Sequence, residues 1–159
     1  METIVIGSDR SGFTLKEALK QWLLDQGYKV KDVGTQDIEN FMPYFQVAPV
    51  AAKAILAGEA QRGILVCGTG MGMAITANKF KGIYAAVVNG LYEAKMCAVI
   101  NKANVLSLGG WVTGPELALE MVKAWLSTSF GEGFPPERVE FLTNAFAQVE
   151  AVEKENFKI

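Results

Sequence analysis

Short apolar segments alternate with longer amphipathic stretches along most of the chain. Apolar runs bounded by turn residues are typical of strands buried on both faces, whereas apolar residues three and four positions apart mark one face of a helix. The pattern predicts strands at 3–8, 28–33, 63–67, 83–88 and 104–108. It predicts helices at 11–26, near 46–57, from the turn after 67 through 77, at 91–100, from 115 to about 126, and from Pro135 onward.

Alternating strands and helices indicate right-handed crossovers and a parallel sheet covered on both sides. The expected fold class is therefore α/β: a doubly wound, Rossmann-like three-layer sandwich with a five-stranded parallel sheet, plus a C-terminal helix. The length of 159 residues fits a single domain over 1–159. Residues 135–159 should form the C-terminal helix and tail, and the charged end at 150–159 is expected to fray.

In such a sheet, ligands bind in the crevice at the carboxyl ends of the strands. Three segments are expected to converge there: residues 8–10, residues 67–72, and Asn89 with Gly90. Catalytic and binding side chains are therefore expected within these segments.

Charge and composition exclude several classes of partner. The net charge is −2 and no run of Lys or Arg forms a basic stripe, so nucleic acid and anionic membranes are poor candidates. The apolar runs are too short to span a membrane and the N-terminus does not resemble a secretory signal, which favours a cytoplasmic location. The absence of histidine argues against a catalytic triad or a typical zinc site, and Cys67 and Cys97 are expected to be free thiols.

A glycine-rich turn follows the third predicted strand, with the pattern G-x-G-x-G at Gly68, Gly70 and Gly72. Glycines let the backbone approach a ligand closely, and N–H groups at a helix start favour an anion. A dinucleotide site would need G-x-G-x-x-G after the first strand and an acidic residue about 20 positions later, neither of which is present. A tight turn without a ligand remains the alternative.

Cys67 ends the third strand directly before this turn, where the positive end of a helix dipole favours the thiolate. A small buried side chain without chemistry is an equal alternative for Cys67, and the favoured interpretation for Cys97. Asp9 either contacts substrate hydroxyls or caps the following helix. Arg10 either binds an anion or lies free on the surface, and the same two alternatives hold for Arg138. Packing roles are expected for Trp111, Trp125 and Phe134.

With these residues, the chain resembles the ribose-5-phosphate isomerase B / galactose-6-phosphate isomerase family. The resemblance runs from residue 3 to about 140 and rests on IVIGSD (4–9), RGILVCGTGMGMAITANK (62–79), NKANVLSLG (101–109) and GPELALEMVKAW (114–125). It implies an aldose–ketose isomerase that acts on a small sugar phosphate through a cis-enediol(ate), without metal or cofactor. It also implies a homodimer or dimer-based tetramer whose sites borrow partner residues, with the C-terminal helix packing on the partner subunit.

The resemblance implies a role for each matching position. Cys67 would be the catalytic base; another branch of the family uses a glutamate at the position of Met73, so that route is closed here. Thr69 would relay a proton between substrate oxygens. The backbone N–H groups of the loop would stabilise the developing oxyanion, at Gly68, Gly70, Met71 and Gly72. Three positions match side chains that contact the sugar: Asp9, Tyr44 and Asn101.

Some positions depart from the family pattern. The family usually has histidine at Arg10 and at Ile100, where it helps to open the sugar ring, and phosphate-binding arginines at Trp111, Phe134 and Arg138. We therefore expect Arg10 and Arg138 to bind the substrate's phosphate together. We also expect a substrate that needs no ring opening, such as a tetrose or tetrulose phosphate, in a pocket narrowed by Trp111 and Phe134. The alternatives are an isomerase of an unphosphorylated or carboxylated sugar, and a non-catalytic sugar-phosphate-binding subunit of a hetero-oligomeric isomerase.

Overall fold

A computed structural model describes residues 2–157 and contains a five-stranded parallel sheet. The strands are β1 (Thr3–Ser8), β2 (Lys29–Asp32), β3 (Arg62–Cys67), β4 (Ala85–Val87) and β5 (Val105–Gly109). The helices are α1 (Phe13–Asp25), α2 (Tyr44–Leu56), α3 (Met71–Ala77), α4 (Leu91–Asn101), α5 (Pro115–Ser127) and α6 (Pro136–Asn156). None of these helices is long and apolar enough to cross a membrane.

The strand order is β2-β1-β3-β5-β4, and every neighbouring pair is parallel. Alternate residues of the central strands face opposite sides, so the sheet carries two apolar cores. One core packs against α1, α4 and α5, and the other against α2 and α3. The predicted doubly wound three-layer sandwich is therefore confirmed.

The predicted fourth strand is shorter than expected. Its ladder covers only Ala85–Val87, because β4 lies at the edge of the sheet and pairs with β5 alone. Ile83 and Val88 are buried although they lie outside the ladder. Their apolar character reflects core packing, and for that reason the pattern overestimated the strand.

A buried lysine fixes the connection between β2 and α2. Lys16 on α1 is fully buried, and its Nζ donates to Asp32 Oδ2 at 2.7 Å and to the Thr35 carbonyl at 2.6 Å. Burial alone would raise the pKa of Asp32, but hydrogen bonds from Lys16 and Lys20 outweigh it and hold that pKa below its ordinary value. This network fixes the start of the segment that leads to Tyr44.

The expectation that the chain frays from residue 150 is wrong as far as residue 156. Helix α6 continues to Asn156, and the Glu153 carboxylate accepts hydrogen bonds from the Gly82 N–H at 2.7 Å and the Tyr84 hydroxyl at 2.9 Å. Burial and the neighbouring Glu153 carboxylate raise the pKa of Tyr84 to about 12. A charged helix end is thus anchored to the start of β4; residues 158 and 159 lie outside the described part of the chain.

Candidate active site

A cavity of about 340 Å³ lies at the carboxyl edge of the sheet, where β1 and β3 end side by side. Its lining residues are Asp9, Ser11, Tyr44, Cys67, Gly68, Thr69, Gly72 and Trp111. The segments after β1, β3 and β5 therefore converge, as does the first turn of α2. Of the three segments predicted to converge, the third is wrong: Asn89 and Gly90 follow the edge strand β4, which β5 separates from β3.

Cys67 lies at the floor of the cavity. It is the last residue of β3, only 4 % exposed, and its Sγ accepts a hydrogen bond from the Gly70 N–H at 3.2 Å. The Cys67 carbonyl accepts from the Gly110 N–H at 2.7 Å, which fixes the residue between two loops.

The glycine loop is closely packed. Gly70 has φ +80°, a left-handed conformation, and a Cβ there would lie 3.1 Å from the Leu108 carbonyl carbon. A Cβ on Gly68 would lie 2.7 Å from Cε3 of Trp111, so the indole ring packs directly on the loop backbone. The predicted oxyanion donors are not all available, because the Gly70 N–H bonds to sulfur and the Met71 N–H bonds to Thr69 Oγ1 at 3.4 Å.

Asp9 lines the cavity and closes the turn before α1, and its contact with substrate hydroxyls remains a prediction. Its Oδ1 accepts from the Gly12 N–H at 3.0 Å, which caps the turn that leads into α1, and the side chain also lines the cavity. Burial raises the pKa of Asp9, and hydrogen bonds from the Gly12 and Ser11 N–H groups only partly offset this effect. A partly desolvated carboxyl group thus faces the cavity beside Cys67.

Tyr44 and Thr69 also line the cavity. Tyr44 begins α2, and its ring packs so closely on Gly72 that a Cβ there would lie 2.9 Å from Cδ2. Thr69 is half-buried between Gly68 and Gly70. The cavity therefore combines a thiol, a carboxyl group, a phenol and a hydroxyl, without a Lys or Arg among its lining residues.

Sequence comparison relates this arrangement to a known family. The family model described as Ribose/Galactose Isomerase matches residues 4–142. The chain belongs to this family. A 4-deoxy-4-sulfo-D-erythrose isomerase from Clostridium sp. (strain MSTE9) is 48 % identical over 155 residues, which cover 98 % of each chain. The D-erythrulose-4-phosphate isomerase 2 of Mycolicibacterium smegmatis is 44 % identical over 129 residues, covering 80 % of this chain and 85 % of the relative.

Structure comparison agrees with the sequence. The ribose-5-phosphate isomerase B of Clostridium thermocellum superimposes with a TM-score of 0.88 at 38 % identity, over 96 % of this chain and 98 % of that protein. The protein is therefore an aldose–ketose isomerase of the ribose/galactose isomerase family. The predicted family, fold and reaction class are confirmed.

Several positions that the family resemblance singled out lie outside the cavity. Asn101 and Ile100, at the end of α4, line a different cavity of about 370 Å³ between β4 and α6. Arg138 lies exposed on α6, over the rings of Phe134 and Phe141. One chain alone thus does not bring these residues to Cys67, and their contacts with substrate remain predictions.

Arg10 is exposed and follows the lining residue Asp9 directly, with its guanidinium 5.7 Å from the centre of the Phe41 ring. An arginine held over an aromatic ring keeps its donors free for an anion. Arg10 therefore presents a cation one residue away from the lining of the cavity, next to Asp9.

Two aromatic predictions differ in outcome. Trp125 is fully buried, as expected of a packing residue. Trp111 is not a core residue, since it is 75 % exposed and forms one wall of the cavity. Ser11 also lines the cavity and was not singled out from the sequence, because a serine at a helix start has many ordinary roles. Its position two residues after Asp9 was the available signal.

Proposed function

We propose that this isomerase interconverts a four-carbon aldose and ketose that carry an anionic group at C4, with Cys67 as the catalytic base. The observation that carries the proposal is the Cys67 thiol, held by the Gly70 N–H at 3.2 Å on the floor of the cavity. The chain has no histidine to act as an alternative base. A small cavity without lining cations suits proton transfer on a short sugar.

The proposed reaction moves one proton between adjacent carbons. The Cys67 thiolate takes the proton from the carbon beside the carbonyl, the C–H electron pair forms the C=C bond, and the carbonyl π electrons move to oxygen, which gives a cis-enediolate and a thiol. The Thr69 hydroxyl moves a proton between the two oxygens. The oxyanion left on the second oxygen then forms the new C=O bond, the C=C electron pair takes the thiol's proton at the former carbonyl carbon, and the thiolate is regenerated. Asp9 and Tyr44 would hold the substrate hydroxyls, and the loop N–H groups that remain free would face the oxyanion.

The anionic group is proposed to be a sulfonate. A phosphate monoester carries about −1.5 to −2 charge at pH 7, whereas a sulfonate carries a single charge and needs fewer cations. Arg10 follows the lining residue Asp9, and none of the cavity's lining residues is cationic. The sulfo-erythrose isomerase from Clostridium supports the same choice. Erythrulose 4-phosphate is the second candidate, because Arg138 provides another cation and the Mycolicibacterium relative acts on that substrate.

A substrate panel tests this proposal. We expect kcat/KM for 4-deoxy-4-sulfoerythrose, or its ketose, to exceed that for erythrulose 4-phosphate and to exceed that for ribose 5-phosphate by about a hundredfold. Coupled assays on both tetroses, ribose 5-phosphate, allose 6-phosphate and uncharged erythrose give the comparison. A tenfold preference for a pentose or hexose phosphate would refute the four-carbon assignment, and equal activity on erythrose would refute the anionic group.

The active form is proposed to be a homodimer or dimer-based tetramer, in which the partner's Asn101, Ile100 and Arg138 complete the site. Within one chain these residues lie away from Cys67. Exposed apolar side chains also extend along α3, including Met71 at 57 % and Ile75 at 63 % exposure. Apolar surface of this kind favours burial against a second copy.

Subunit mixing tests the shared site. Cys67→Ala and Asn101→Ala homodimers should each be impaired, whereas their mixed dimer contains one intact site and one doubly altered site. If subunits exchange randomly, activity should recover to about a quarter of the wild-type value. Mixing Cys67→Ala with Thr69→Ala is the matched control, because both residues line the same cavity and no intact site can form. The shared site would be contradicted if the Cys67→Ala and Asn101→Ala mixture recovered no activity, or if both mixtures recovered the same activity.

A further inference from the structure

Trp111 stands between two cavities. The catalytic cavity of about 340 Å³ lies on one side, and a second cavity of about 470 Å³ lies on the other, between the starts of α1 and α5. Ser11 and Trp111 line both. Because serine is small, the indole of Trp111 supplies most of the wall between them.

We infer that Trp111 determines the chain length of the substrate, by separating the catalytic cavity from space that would accept a fifth or sixth sugar carbon. The inference rests on the proposed four-carbon substrate and adds the residue that enforces it. The family resemblance implied only a narrowed pocket; the structure adds a second cavity that shares Ser11 and Trp111 with the first.

Backbone hydrogen bonds, rather than burial of the side chain, hold Trp111 in place between the two cavities. The Trp111 N–H donates to the Gly68 carbonyl at 2.9 Å, and the Gly110 N–H donates to the Cys67 carbonyl at 2.7 Å. The six-membered ring of the indole packs against Gly68, although the side chain is 75 % exposed. The indole is thus held on the catalytic loop itself, and a change at Trp111 removes the wall without opening the apolar core.

The second cavity suits a hydroxylated chain. Its lining includes the hydroxyl-bearing side chains of Ser11, Thr14 and Thr113. Sugar hydroxyls pair with such groups, so a longer sugar that reached this cavity would find donors and acceptors.

Trp111→Ala tests the inference. We expect kcat/KM to fall for the four-carbon substrate and to rise for ribose 5-phosphate, so that their ratio shifts by about a hundredfold toward the pentose. Trp111→Phe retains an aromatic wall and should keep the wild-type preference to within about threefold. Tyr92→Ala is the matched control, because Tyr92 is 76 % exposed, like Trp111, but lines neither cavity.

Circular dichroism and sedimentation of each variant establish that fold and oligomeric state are those of the wild type. If Trp111→Ala fails to fold, Trp111→Leu gives the same comparison, because leucine also removes most of the wall. A folded variant whose ratio stays within about threefold of the wild type overturns the inference. The proposed function is tested separately, because it would be refuted if the wild-type enzyme were inactive on four-carbon substrates.

Discussion

Replacing Cys67 with alanine is expected to lower kcat by about three orders of magnitude, because the substitution removes the proposed base. The side chain fills the floor of the cavity and accepts the Gly70 N–H, and the chain contains no histidine. Remaining lining groups, such as Asp9 and Tyr44, would still bind substrate. We therefore expect KM to change much less than kcat, as measured by initial rates on the preferred four-carbon substrate.

Cys97→Ala is the matched control for this experiment. Cys97 is also buried, but it lies in the apolar core on α4 and its Sγ donates to the Ala94 carbonyl at 3.2 Å. Burial raises the pKa of Cys97 to about 11, so this thiol stays protonated and unreactive at neutral pH. Activity should persist in Cys97→Ala. Near-normal turnover by a folded Cys67→Ala variant would contradict the mechanism.

The sequence was sufficient for the sheet because its central strands are buried on both faces. Thr3–Ser8 is nearly all apolar and needs no knowledge of its neighbours to be assigned. The edge strand was less predictable, since Ile83 and Val88 are apolar because they pack in the core, although they lie outside β4. The end of α6 was missed because the contacts of Glu153 with Gly82 and Tyr84 join residues about 70 positions apart.

The site divides in the same way. Cys67 and Asp9 could be predicted, because a residue that ends a central parallel strand must lie at the ligand edge. The residues alone suggested only a packing role for Trp111, because its place depends on β5 pairing with β3, and strand order is not contained in local pattern. Only the family resemblance placed Trp111 at the pocket. The surroundings of Ile100 could not be predicted either, since α4 ends beside α6 rather than beside Cys67.

Ile100→His is expected to create activity on a ring-forming sugar. Ribose 5-phosphate is mostly a closed ring, and opening it requires a group that protonates the ring oxygen and takes a proton from the anomeric hydroxyl. Members of the family that this chain resembles usually have a histidine at the position of Ile100 for this step, and isoleucine has no transferable proton. Ile100 is half-buried and lines a cavity with Asn101, so an imidazole there would face open space rather than the core.

The expected gain is about tenfold to a hundredfold in kcat/KM for ribose 5-phosphate, with little change for a four-carbon substrate that has no ring to open. Ile38→His is the control, because Ile38 is exposed and lines none of the three cavities. Adding Cys67→Ala should abolish the gain, since an opened sugar still needs the base. If Ile100→His binds ribose 5-phosphate but turns it over no faster than the wild type, ring opening is not what limits this enzyme. The exclusion of pentoses would then depend on the size of the cavity, and Trp111→Ala would be the variant that relieves it.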